Sequence, residues 1–230
     1  QFGGGFTEVG PDFNPEVGFY ARRGYRRVDG AFRTAFRPEN SWGVHELTPH
    51  ASFYSIWNYE TGQKESEWVH LDNTMEWLNG FWLSTALNLT TEGVLEPFEI
   101  FPGVIVPVDN YDHAEAQLRI NTNRGAPFSF GFFSVFGGFF GGQRVQVSPQ
   151  VNLRVGETFN LQASWERNKL DLPVGDFVTN LGRIRVNYSF TTRMFVQALV
   201  QYNDRADIWS SNVRFAILSD ANTGFFVVYN

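Results

Sequence analysis

Residues 144–155 read RVQVSPQVNLRV. Arg144, Gln146, Ser148, Gln150, Asn152 and Arg154 take every second position, and Val145, Val147, Pro149, Val151, Leu153 and Val155 lie between them. Successive side chains of a strand point to opposite faces, so this stretch reads as a strand with one polar and one apolar face. A row of valines needs cover, either a second protein layer or a solvent other than water. Pro149 sits midway on the apolar face, where a missing N–H breaks one ladder bond, and a local bulge is expected there.

The same alternation recurs along the chain. Ala114, Ala116, Leu118 and Ile120 oppose Glu115, Gln117, Arg119 and Asn121; Phe159, Leu161, Ala163 and Trp165 oppose Asn160, Gln162, Ser164 and Glu166; Ile184, Val186, Tyr188 and Phe190 oppose Arg183, Arg185, Asn187 and Ser189. Strands are expected over 15–22, 25–37, 44–59, 66–78, 81–91, 112–123, 127–137, 143–155, 158–169, 178–190, 194–203, 208–218 and 224–230, and no amphipathic helix is found. Short turns (LNGF, NRGAP, VGET, TTR, SDANTG) alternate with less regular connections (TEGVLEPFEIFPGVIVPVDNYD, GGFFGGQ, LDLPVGD, NDRAD). Sorting of this kind is how outer-membrane barrels distinguish their two ends. A strand of about 12 residues tilted by about 40° rises roughly 30 Å, enough to cross a hydrocarbon layer.

Composition is compatible with that reading. The chain of 230 residues carries 24 Phe, 7 Trp, 8 Tyr and 22 Gly, and its net charge of −6 argues against a nucleic-acid partner. It has no Cys, hence neither disulfides nor thiolate metal sites. No apolar run is long enough for a membrane helix; FSFGFFSVFGGFFGG at 128–142 is too short and too rich in Gly. The mean hydropathy of −0.25 would suit a soluble protein, but barrel strands devote half their residues to a polar interior. Aromatics near strand ends (Trp42, Trp57, Tyr59, Trp68, Trp77, Trp82, Trp165, Tyr188, Tyr202, Trp209) suit interfacial girdles. The expected fold is all-β, an antiparallel transmembrane β-barrel with about 13 strands visible; the rival is a soluble β-sandwich.

Four stretches carry a family resemblance: DFNPEVGFYARRGYRR (12–27), LEPFEIFPGVIVP (95–107), the run from Gly137 to Phe190 with its NKLDLPVGDF loop, and the tail from Phe195 to Asn230 ending FVVYN. Together they resemble the outer-membrane β-barrel domain of uncharacterised function that often follows a family-9-type carbohydrate-binding module in Gram-negative bacteria. The resemblance covers nearly the whole chain, loosely around 40–65. It implies an outer-membrane location, lipid as a partner, and contact with other outer-membrane proteins or, through the fused module, with carbohydrate. That module is not among these residues, so its activities are not implied for them. The whole chain, 1–230, is expected to be one barrel domain incomplete at both ends: it opens on Gln1 with neither Met nor signal peptide, and single-chain bacterial barrels have even strand numbers.

The expected lumen-facing charges are Glu115, Arg119, Arg144, Arg154, Glu166, Arg183 and Arg185. One account makes them a polar wall that selects solutes or holds a plug. The plainer account has Arg and Glu on neighbouring strands neutralising each other. Arg183 and Arg185 share a face, and their like charge calls for a carboxylate, water or ligand. The four histidines (His45, His50, His70, His113) have no metal-binding spacing, and no metal or cofactor is expected. Asp109, Asp112 and His113 cluster at one loop end without a serine nucleophile motif, and no enzyme activity is expected. NLT at 88–90 and NYS at 187–189 fall in strands and are chance glycosylation matches. The loop 98–112 is apolar enough to fold inward, to dock a partner or to pack on itself. The expected function is a channel, a translocation conduit or an anchor for the carbohydrate-binding module; the alternative is a plugged, non-conducting structural subunit.

Overall fold

The alternating segments pair with their sequence neighbours. In the computed structural model, which describes residues 1–18, 22–39, 42–220 and 223–230, the strands are β1 (Phe2–Val9), β2 (Tyr25–Arg33), β3 (Val44–Asn58), β4 (Lys64–Trp77), β5 (Trp82–Val94), β6 (Phe98–Phe101), β7 (Val104–Val106), β8 (Asp109–Asn121), β9 (Phe128–Phe139), β10 (Gly142–Val155), β11 (Phe159–Leu172), β12 (Gly175–Ser189), β13 (Met194–Asn203), β14 (Ile208–Asp220) and β15 (Thr223–Tyr229). Thirteen of them form one antiparallel sheet in chain order, from which only β6 and β7 depart, as a separate hairpin. The described residues contain no helix. β1 and β15 stand at the two edges of the order and, with thirteen alternating strands, run in the same direction.

Register carries the alternation from strand to strand. His70 faces Asn88, Asn88 faces Glu115, Glu115 faces Gly137, and Gly137 faces Arg144. One row therefore stays polar across five strands. On the other face Leu71, Leu87, Phe136, Val145 and Ile184 remain exposed.

Pro149 is accommodated without a bulge. The β9–β10 ladder runs unbroken through the Pro149–Phe132 pair. The β10–β11 ladder passes from Val147–Arg167 to Gln150–Ser164 in the same register, omitting two pairs. One absent donor explains both omissions, because the N–H of residue 149 would have closed the bond that the two adjacent pairs share.

The first expected strand is displaced. Residues 15–18 and 22 are not in a strand, and 19–21 fall outside the described residues. The edge is instead β1, FGGGFTEV, whose three successive glycines leave no side chains to display an alternation. Gly18, at φ 107°, turns the chain within the connection that follows.

The sorting of connections is also less clean than expected. Two two-residue turns, Phe140–Gly141 and Pro173–Val174, lie at the end assigned the long loops, and residues 34–43 make a long connection at the other. Phe140 (φ 43°) and Gly141 (φ 77°) are both left-handed, as a two-residue hairpin of type I′ requires.

These strands run past their expected ends because a protein layer covers them. Around Leu170, Leu172 and Phe177, apolar residues occupy the otherwise polar face. The β6–β7 hairpin packs there: Val104 clusters with Leu170 and Leu172, and Val106 with Val94 and Phe140. Phe101 stacks on Phe177 at 4.4 Å. The β6–β7 hairpin of loop 98–112 is thus folded onto the polar face.

Two of the expected girdle aromatics are misplaced. Register puts Trp68 opposite Tyr54 and Thr90, and Trp82 opposite Glu76 and Asn121, on the polar face. Trp165, Tyr202 and Trp209 do lie in one row of the apolar face, flanking Gly182. Above this glycine opens an apolar groove of about 490 Å³.

Candidate functional site

All seven expected charges share the polar face. Glu115 and Arg144 flank Gly137; Arg119 is opposite Phe133, which is opposite Ser148. Arg154 pairs with Asn160, Arg185 with Gln162 and Arg183 with Ser164, and Glu166 is two residues along from Ser164. They divide by what each side chain touches.

Glu115 and Arg144 form an ion pair across β9, two strands apart. Residue 137 between them has no side chain, and a Cβ there would run into the β8 backbone at Ala114 and Glu115. Arg144 also lies 4.6 Å over the Phe139 ring, and Arg119 lies 4.7 Å over Phe133. Arg154 donates to the carbonyls of Gly125 and Ala126 at 2.9 and 3.4 Å, tying down the β8–β9 turn. Glu166 accepts from Asn168 at 3.0 Å. Arg183 donates from Nε and Nη2 to Gln201 at 2.8 and 3.2 Å, with that amide oxygen turned toward it. Arg185 lines a shallow pocket of about 340 Å³ with Asn187, Gln197, Asn212 and Arg214. Cross-strand neutralisation thus accounts for one pair of the seven residues, not for the set.

Charge is unevenly spread over this face. Asp29, Glu46, Asp72, Glu76, Glu92, Asp109 and Glu115 lie on β2–β8, where Arg27, Arg33 and Arg119 are the opposing arginines. Arg144, Arg154, Arg183, Arg185 and Arg214 lie on β10–β14, against Glu166. The two halves carry opposite net charge.

Asp112 and His113 do not form a unit. Asp112 pairs with Thr91, accepting its hydroxyl at 2.6 Å, whereas His113 pairs with Thr90 on the opposite face. Asn88 and Asn187 lie inside β5 and β12.

The grouping that sequence spacing missed is His50, His70 and Asp72. His50 pairs with Asp72 across β3 and β4, and His70 precedes Asp72 by two residues on the same face. His50 Nδ1 is 3.3 Å from Asp72 Oδ1, and His70 Nε2 is 3.5 Å from Asp72 Oδ2. The Nδ1 of His70 is 2.6 Å from Oδ1 of buried Asn88, and its ring stacks on Trp68 at 4.9 Å. Only the hairpin register brings residues 50 and 70 together; equal parity within their strands was the one available sign.

Compared with models of known families, with curated proteins and with solved structures, the chain matches none.

Proposed function

We propose that the chain forms the wall of an outer-membrane β-barrel, with its apolar face against lipid and its polar face toward a hydrated interior. One observation carries this reading: the burial pattern is inverted. Leu71 and Ile184 are 47% and 49% exposed, while Glu115 and Asn88 on the opposite face are 6% and 3% exposed. A protein folded for water places the aliphatics inside and the carboxylates outside. Lipid reverses the outer half of that preference, and a barrel satisfies its backbone between strands.

Within such a barrel the opposed acidic and basic sectors set a field across the interior, which orients dipolar solutes and favours a conduit. The family resemblance adds a second use, as membrane anchor for a carbohydrate-binding module. The β6–β7 hairpin on the polar face favours the rival reading of a plugged, non-conducting subunit. Planar-bilayer recordings of the folded protein separate these. Stepwise conductance is expected, rising in Val106→Asp, which expels the hairpin by placing a charge at its most buried position. Silence in both proteins would leave the plugged scaffold; failure to enter a bilayer at all would sink the barrel.

A further inference from the structure

We propose that His50, His70 and Asp72 form a binding site for one divalent transition metal ion of the zinc class. The site rests on the β3–β4 register and stands whether or not the sheet is a membrane wall.

The spacing suits a single ion. One ligand atom from each of the three residues lies within 4.8 Å of the other two. Two ligands held about 2.0–2.1 Å from a tetrahedral zinc are separated by roughly 3.3–3.4 Å. His50 Nδ1 lies 3.3 Å from Oδ1 of Asp72 and His70 Nε2 lies 3.5 Å from Oδ2 of the same carboxylate, each close to this value.

The electronic arrangement points the same way. The Asn88 side-chain oxygen only accepts, so the neutral His70 ring carries its proton on Nδ1. Its Nε2 lone pair then faces the carboxylate of Asp72, lone pair against lone pair. Oδ1 of Asp72 is shielded from solvent and receives no hydrogen bond, although His50 Nδ1 is 3.3 Å away. Electron-rich atoms converging without a donor between them are held together by a cation or by an added proton. Asn88 supplies the outer-shell support typical of a metal-bound histidine, and Trp68 fixes the ring plane. Two imidazoles and one carboxylate favour zinc, nickel or copper over calcium or magnesium, which prefer all-oxygen shells. Three protein ligands leave a fourth position for water or a solute.

The test is isothermal titration of the untagged full chain, folded in detergent micelles, with zinc chloride. One zinc per chain is expected, undisturbed by excess calcium or magnesium. Asn88→Ala should weaken binding about 10–100-fold, as loss of an outer-shell partner does. His50→Gln, His70→Gln and Asp72→Asn should weaken it further, and His45→Gln should not. Zinc-edge X-ray absorption of the wild type, which needs no variant to fold, should show two imidazole nitrogens at about 2.0–2.1 Å. Absence of saturable uptake, equal binding by the ligand variants, displacement by calcium, or an absorption spectrum without imidazole would each overturn the site and leave a proton as the occupant.

Discussion

A methyl group on residue 137 would sit 2.2 Å from the Ala114 carbonyl oxygen and 2.6 Å from Cα of Glu115. The residue also holds φ at 149°, which side chains disfavour. Gly137→Ala is therefore expected to cost roughly 2–5 kcal/mol, combining backbone strain with overpacking. Urea unfolding in detergent micelles measures it, and a loss under half a kcal/mol would mean that β8 and β9 approach less closely than described. The ion pair that Gly137 admits is testable separately. Glu115→Gln leaves the Arg144 charge facing a neutral amide. The expected loss is about 2–3 kcal/mol, below that of a fully buried pair because Arg144 is partly exposed. Adding Arg144→Met should restore part of it; additive losses in the double variant would show that the two residues do not couple.

At the scale of elements, the β13–β14 connection is pinned by Asp204. Burial alone would raise its carboxyl. The backbone N–H and side-chain amide of Asn180, at 2.6 and 2.5 Å, outweigh burial with help from the Arg205 N–H and the Arg167 charge, and hold it below the ordinary value of 3.8. A depressed folded-state value means that the stabilisation is present above pH 3.8 and is lost as pH falls through that lower value. Hydrogen exchange at the Asn180 amide should stay slow down to about pH 4 and accelerate below it, and Asp204→Asn should remove that acid step. An amide protected equally on both sides of the step would contradict the pinning. Most elements were legible in the sequence because alternation reports two faces of different polarity. β8, β10 and β14 show this well. Legibility failed where a face changed from polar to apolar, as at Leu170–Phe177 beneath the β6–β7 hairpin, and where glycines in β1 erased the pattern.

For the molecule as a whole, the two faces predict two environments for tryptophan. Trp165 and Trp209 project from the apolar face, 42% and 71% exposed, whereas Trp68 stacks on His70 on the polar face. In single-tryptophan variants inserted into brominated-lipid vesicles, Trp165 and Trp209 should be strongly quenched and Trp68 should not. Equal quenching at all three would refute a lipid-facing apolar side. The candidate site was legible in unequal parts. Parity put the seven charges on one face, but the Glu115–Arg144 contact depends on a glycine of the strand between them, which only the registers of β8, β9 and β10 place opposite both. The His50–Asp72 pair depends on a register that a bulge between Val44 and Glu46 and another between Ile56 and Trp57 displace at each end. The like-directed edges β1 and β15 carry a last consequence, one of arithmetic. Each hairpin gained or lost by duplication or deletion changes the strand number by two, so the girth of such a sheet can drift while its edges stay mismatched. Pairing these edges with each other takes a parallel seam, and pairing either one antiparallel takes a further strand, whatever the number of hairpins between them.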